Sequence, residues 1–308
     1  MSPIKLGVIG IGHIGKHHAR IYAQMDGVHY VGCFDIKKDV AGRIAETIGG
    51  RVFESLEELL KEVDAVSIAT PTSTHFTIGS KCLEAGVHVL IEKPITDSLE
   101  EAKLLVEIAK RNKVILQVGH VERYNPAFRV LEGYLSQPRF IECHRLCPYP
   151  GRNTELGVVL DLMIHDLEAI LHLVRSDVQS VDAVGVSVLS LTEDIANARI
   201  KFKNGAIANI TTSRISPEKM RKIRIFQDDA YISLNYLEQK GEIYRKRDHG
   251  IECLPMPIEK GEPLFFELRS FIDCIYSKDS PLVGGKEAVE ALKLAVEITE
   301  IIRSNKMN

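Results

Sequence analysis

Two groups of residues in this 308-residue sequence have types and spacing suited to chemistry. Lys93 stands between Glu92 and Pro94, directly after the apolar run 87–91 (VHVLI). A strand end in a parallel sheet is where ligands bind, which makes Glu92 and Lys93 candidates for a site. Asp161, His165, Glu168 and His172 recur at i, i+4, i+7 and i+11 through the otherwise apolar segment 158–175. That spacing puts them roughly on one helix face. Three readings fit the face. A carboxylate one turn from an imidazole can orient it as a general base. Carboxylate and imidazole ligands at such spacings can also hold a metal. A polar, partly exposed stripe with a satisfied histidine needs neither.

A third constellation lies near the start. Residues 7–20 read GVIGIGHIGKHHAR, with Gly10, Gly12 and Gly15 spaced as G-x-G-x-x-G around His13 and Ile14. An apolar run precedes the motif and a helical pattern follows, which is the context a dinucleotide cradle requires. The first glycine permits the tight turn, the second lets backbone approach a pyrophosphate, and the third lets helix and strand pack closely. Helix N-terminal amides then face the phosphates. Asp35 closes the next apolar run, twenty residues after Gly15. Its carboxylate suits both hydroxyls of an adenosine ribose and repels a 2′-phosphate, so NAD is expected rather than NADP, with Lys37 and Lys38 softening the repulsion. His17 and His18 point about 100° apart on the following helix and cannot easily share a metal. They read as surface or phosphate-proximal residues, and no metal is expected.

The elements that must position these residues alternate regularly. Strands are expected at 4–10, 29–35, 65–70, 87–91 and 114–118, with helices from the glycine loop through Met25, then at 38–48, after Ser55, at 74–86 and from Ser98 to about Arg111. Ser55 with Glu58 and Ser98 with Glu101 form capping boxes. Such alternation predicts a parallel, doubly wound sheet covered on both faces. Ligands bind at the carboxyl ends of its strands, where Gly10, Asp35, Thr70, Glu92–Lys93 and Gly119–His120 all fall. After about residue 122 the pattern changes. Residues 139–148 look extended, 158–175 helical, and strands follow at 179–190, 195–202, 206–214, 221–227 and near 231–247, with Asn204–Gly205 as a hairpin turn. Helices near 263–277 and 286–304 close the chain. The expected organisation is an α/β Rossmann domain over 1–121 and an α+β domain over 122–308 with an open, largely antiparallel sheet, the last helix packing back on the first domain.

Hydrophobic residues make up 45% of the chain, charged residues 26%, and the net charge is −3. No basic field suggests nucleic acid. Clusters such as Arg221–Lys222–Arg224 and Arg245–Lys246–Arg247 read as solvated faces. Six scattered cysteines without a C-x-x-C pair suggest reduced, structural thiols. No signal peptide or membrane-length apolar run is evident, so a cytoplasmic protein without membrane attachment is expected.

The set GVIGIGHIG, ATPTSTHF, EKP, QVGH and DLMIHD, in this order, resembles the glucose–fructose oxidoreductase/inositol dehydrogenase (Gfo/Idh/MocA) family over essentially the whole chain. The resemblance implies a Rossmann domain and an open-faced sheet domain, with the active site between them and hydride passing between a sugar or polyol carbon and nicotinamide C4. The family's lysine falls on Lys93, its aspartate on Asp161 and its histidine on His165. His165 then takes the hydroxyl proton, Asp161 orients it and Lys93 holds the oxygen, with Lys93 as an alternative base. Thr70, Pro71, His75, Glu92 and His120 would line the cofactor edge. Many members carry glycines around D-x-x-x-H; here Met163 takes one such position and only Gly157 precedes it, which implies a differently shaped pocket. The stretch 119–128 (GHVERYNPAF) is similar to the branch acting on nucleotide-linked amino sugars, UDP-N-acetylglucosamine 3-dehydrogenases among them. Arg123, Tyr124 and Asn125 would then join Lys93, Asp161 and His165 as substrate contacts. Arg123, Arg129, Arg145 and Arg152 offer guanidinium forks for a diphosphate, against the alternative that Arg123 and Arg129 serve packing. A free polyol or monosaccharide substrate, and a non-catalytic NAD-binding protein, are the competing readings. The resemblance also implies a homo-dimer or homo-tetramer through the open sheet, whose bare face would not persist in a monomer.

Overall fold

The structure is a computed structural model that describes residues 2–151, 155–248 and 250–306. It divides into two compact units, Met1–His120 with Leu264–Val289, and Val121–Pro263 with Glu290–Asn308.

The first unit holds strands β1 (Ile4–Ile9), β2 (Val28–Phe34), β3 (Arg51–Val52), β4 (Ala65–Ile68), β5 (His88–Glu92) and β6 (Leu116–Gly119). They form one sheet in the order β3-β2-β1-β4-β5-β6, every pair parallel. This is the doubly wound order, whose direction reverses between β1 and β4. The connecting helices are α1 (Gly15–Tyr22), α2 (Lys38–Ile48), α3 (Leu56–Leu60), α4 (His75–Glu84) and α5 (Leu99–Asn112). Both serines cap their helices: Ser55 Oγ accepts from the Glu58 amide and Ser98 Oγ from the Glu101 amide, each at 3.1 Å, while the Glu58 carboxylate accepts from the Glu54 amide. The core strands read as unbroken apolar runs because both sheet faces are covered; Leu6, Val8, Val66, Ile68, Val89 and Leu90 are fully buried.

The domain boundary differs from the expected one. Helix α8 (Pro263–Ser277) belongs to the first unit, and α9 (Gly285–Lys306) divides between both. Leu268, Phe271 and Ile272 of α8 share a core cluster with Leu6, Val8, Ile21 and Tyr22. Gln117 Nε2 donates to the Glu267 carbonyl at 2.9 Å, and Tyr276 Oη to the Gly27 carbonyl at 2.9 Å. An amphipathic stripe announces that a helix packs, not which distant sheet receives it.

The second unit has helices α6 (Pro126–Glu132) and α7 (Ile164–Val174), and strands β7 (Pro138–Leu146), β8 (Val178–Val186), β9 (Ile195–Phe202), β10 (Ile207–Ser213), β11 (Met220–Gln227), β12 (Ala230–Asn235), β13 (Lys240–Arg247) and β14 (Gly250–Pro255). They form one sheet in the order β14-β13-β12-β11-β7-β10-β9-β8, antiparallel except for β7 with β10. Period-2 alternation buries Ala196, Ala198, Ile200 and Phe202 of β9 on one face. On the other, Phe140, Phe226, Tyr231 and Tyr244 step across four strands with ring centroids 5.6, 4.8 and 5.2 Å apart. The extended region expected near 231–247 holds β12 and β13, and β14 and α6 add to the expected elements. The expected helix 158–175 begins as a π turn, Val159–Met163, before α7. No helix among the described residues is long and apolar enough to cross a membrane.

Candidate active site

In the first unit, β1 ends in the glycine loop and α1 begins at Gly15. Gly10 adopts φ +82°, a left-handed conformation, and a Cβ there would meet the Ala69 carbonyl at 2.8 Å. A Cβ on Gly15 would lie 1.8 Å from the Gly10 carbonyl, so loop and helix touch backbone to backbone. Around Gly12 the same construction meets nothing within 4 Å. The loop is thus packed tightly beneath and open above, as a cradle for a phosphate-bearing group must be. Gly12, His13 and Ile14 are exposed. Asp35, at the end of β2, accepts from the Ile11 amide at 2.7 Å and from the Lys37 amide at 2.8 Å. These bonds fix its carboxylate beside the glycine loop, and Ile36 next to it is 85% exposed.

The ends of β4, β5 and β6 carry the other candidates. Thr70 and Lys93 are half-buried and Pro71 is exposed. Glu92 lies over Gly119 of β6, where a Cβ would come within 2.9 Å of Glu92 Oε2. His75 is 1% exposed; its Nδ1 is 2.9 Å from the Pro94 carbonyl oxygen and its Nε2 2.9 Å from that of Thr70. Burial pulls its pKa below the usual histidine value, against the raising effect of those carbonyls and Glu92. His120 is also buried.

In the second unit, Asp161 sits in the π turn and His165 in the first turn of α7, both half-buried. A π turn winds wider than an α-helix and recurs at functional sites. Its start is held by Glu193, whose Oε1 accepts from the Val159 amide at 3.4 Å and whose carbonyl accepts from Val158 at 3.1 Å. Gly157 makes room: a Cβ there would lie 1.8 Å from Glu193 Oε1. Met163 is fully buried.

The other two residues of the expected face have separate employment. Glu168 is buried and pairs with Arg123 at 2.6 Å; His172 pairs with Glu132. The four do not act as one polar face, and among the described residues no group of three His, Cys, Asp or Glu is arranged to hold a metal. Arg145, 4% exposed, binds both Asp166 oxygens at 2.7 and 2.9 Å and Glu122 at 3.0 Å. Burial alone would push the Glu122 carboxyl up, but Arg145 and Arg221 outweigh it and hold it below the usual range.

The NAD-binding Rossmann domain of the GFO/IDH/MocA oxidoreductase family matches residues 4–120, and the GFO/IDH/MocA C-terminal domain matches residues 129–233. The chain belongs to this family. Across 97% of its length, and 97% of the relative's, it is 36% identical to UDP-N-acetylglucosamine 3-dehydrogenase of Acidithiobacillus ferrooxidans. A solved structure of that enzyme superposes with a TM-score of 0.95 at 35% identity, covering 99% of both chains. Scyllo-inositol 2-dehydrogenase (NAD(+)) of Bacillus subtilis is 27% identical over 98% of this chain and 94% of its own.

Within this oxidoreductase, several expectations need correction. His18 is not a surface residue: it is fully buried, with Nδ1 2.6 Å from Ser67 Oγ and Nε2 3.1 Å from Glu92 Oε1. The signal was present, since Gly15, His18, Ala19 and Tyr22, all buried, recur at i, i+3, i+4 and i+7. Arg123 and Arg145 are not free forks for a diphosphate; buried carboxylates already hold both. Asn125 is buried, capping α6 at the Ala127 amide and donating to the Tyr236 carbonyl, and Tyr124 is 1% exposed. Packing accounts for these three positions of the 119–128 stretch. Arg129 is exposed, and Arg152 lies outside the described residues.

Proposed function

We propose that this protein oxidises a secondary hydroxyl of a sugar, C3 of a UDP-linked N-acetylamino sugar such as UDP-N-acetylglucosamine, with NAD as cofactor. The observation that carries the reading is 36% identity along nearly the whole chain with a UDP-N-acetylglucosamine 3-dehydrogenase. Gly10, Gly12, His13, Ile14 and Gly15 would hold the pyrophosphate and Asp35 the adenosine ribose, which favours NAD over NADP. Thr70, Pro71, Glu92 and Lys93 would meet the nicotinamide side. His75 and His120, being buried, would shape that edge through their neighbours.

Bound NAD supplies the hydride acceptor. The protein's part is to take the proton and hold the oxygen. His165 accepts the proton from the reacting hydroxyl as the hydride leaves its carbon. Asp161 orients His165 and stabilises the imidazolium that forms. Lys93 donates a hydrogen bond to the same oxygen as negative charge builds there. The 27% identity with scyllo-inositol 2-dehydrogenase supports a second reading, a free polyol substrate. The aromatic ladder of Phe140, Phe226, Tyr231 and Tyr244 on the sheet's open face supports a homo-oligomer through that face.

His165→Asn and Lys93→Ala test the roles. Each is expected to lower kcat at least about 100-fold, in line with loss of a general base or an oxyanion donor, with NAD binding by calorimetry unchanged in His165→Asn and still measurable in Lys93→Ala. Near-normal turnover in either variant removes that residue from the mechanism.

A further inference from the structure

Lys93 sits on a segment held from both sides by buried imidazoles. Before it, Glu92 Oε1 lies 3.1 Å from His18 Nε2, and the same ring's Nδ1 is 2.6 Å from Ser67 Oγ. After it, the Pro94 carbonyl oxygen is 2.9 Å from His75 Nδ1, while His75 Nε2 is 2.9 Å from the Thr70 carbonyl oxygen. Each ring therefore reaches from β4 or the residues just past it to the Glu92–Pro94 segment at the end of β5. His18 is 0% and His75 1% exposed. A neutral His75 ring carries one N–H and so donates to one of its two carbonyls; the bond that holds the segment is the one from Nδ1 to Pro94. His18 bonds Ser67 and meets the Glu92 carboxylate at ion-pair distance without a hydrogen bond.

We propose that His18 and His75 are positioning residues for Lys93, His18 confining the Glu92 carboxylate before it and His75 holding the Pro94 carbonyl after it. This rests on the reading of Lys93 as the group that meets the reacting oxygen. A lysine carries its ammonium on a flexible four-carbon stem, so the precision of that charge depends on the rigidity of the backbone beneath. Glu92 is confined further by Gly119, whose missing side chain leaves room for its carboxylate. The arrangement also joins Lys93 to the cofactor side, because Thr70 packs against Gly10 of the glycine loop, where a Cβ would meet Thr70 Cγ2 at 2.7 Å.

Side-chain amides separate the two arms of each ring. His75→Asn keeps a donor at the Nδ1 position, toward Pro94, and His75→Gln keeps one at the Nε2 position, toward Thr70. For His18 the order reverses: His18→Gln keeps the arm toward Glu92 and His18→Asn the arm toward Ser67. The braces predict that His75→Leu and His18→Leu lower kcat roughly 10- to 100-fold, the usual cost of losing an outer-shell partner, a larger change than in Kd for NAD. His75→Asn and His18→Gln should recover most of the loss, and the opposite amides should not. In a Lys93→Ala background the Leu substitutions should lower the residual kcat no further. Where a Leu variant fails to fold, the comparison of its two amide variants decides. Equal rescue by both amides, or losses that multiply with that of Lys93→Ala, would overturn the braces. Near-normal turnover of Lys93→Ala alone would instead remove the role of Lys93, and the purpose of the braces with it.

Discussion

Replacing Arg145 with Met is expected to destabilise the second unit strongly, and more at pH 8 than at pH 5.5. The side chain makes three charge-assisted hydrogen bonds, two to Asp166 and one to Glu122. Both carboxylates are under 5% exposed. Met fills a similar volume, so the principal loss is electrostatic. Removing one partner of a buried ion pair costs about 3–5 kcal/mol, because it strands the opposite charge. Arg221, itself 39% exposed, would remain 3.3 Å from Glu122 and offset a fraction of that. The pH dependence follows from the sign of the shift. In the native protein the Glu122 carboxyl titrates below its usual range, so its contribution is present above the unfolded value and lost as pH falls through the folded one. Without Arg145, burial raises the carboxyl, and protonation at lower pH relieves the stranded charge. The gap between native and variant should therefore shrink on acidification. Urea titration followed by circular dichroism at the two pH values measures it. A difference below about 1 kcal/mol at pH 8, or one that does not change with pH, would refute the reasoning.

Gly12→Ala should leave thermal stability within about 1 °C, since its Cβ meets nothing within 4 Å, yet weaken NAD binding at least about 10-fold by intruding where the pyrophosphate must approach. Gly15→Ala, whose Cβ would sit 1.8 Å from the Gly10 carbonyl, should lose both stability and binding; calorimetry and a melting curve separate the two. Asp35→Asn removes the charge that repels a 2′-phosphate and should shift the ratio of kcat/KM for NADP over NAD upward at least about 10-fold; an unchanged ratio would mean that Asp35 does not select the cofactor.

Local signals proved most legible. The helix caps at Ser55 and Ser98, the glycine loop with Asp35, and the alternation that makes the parallel sheet all depend on residues close in sequence or on simple periodicity. Three features did not follow from such signals. A period of 3.6 residues per turn over 158–175 cannot reveal the π turn under Asp161 or the Glu193 carboxylate that holds its start. Arg123 and Glu168 are 45 residues apart, and their pairing depends on tertiary packing that no local pattern encodes. The segment GKHHARIY is polar in composition, yet its helical phase places the His18 imidazole with Ala19 and Tyr22 in the interior.

The central claim is tested most directly by incubating the purified protein with NAD and, separately, UDP-N-acetylglucosamine, related UDP-sugars, free hexoses and inositols, and following nicotinamide reduction. The account predicts turnover with UDP-N-acetylglucosamine, abolished by His165→Asn, and little with the free sugars and inositols. Activity confined to inositol or free hexoses would contradict it.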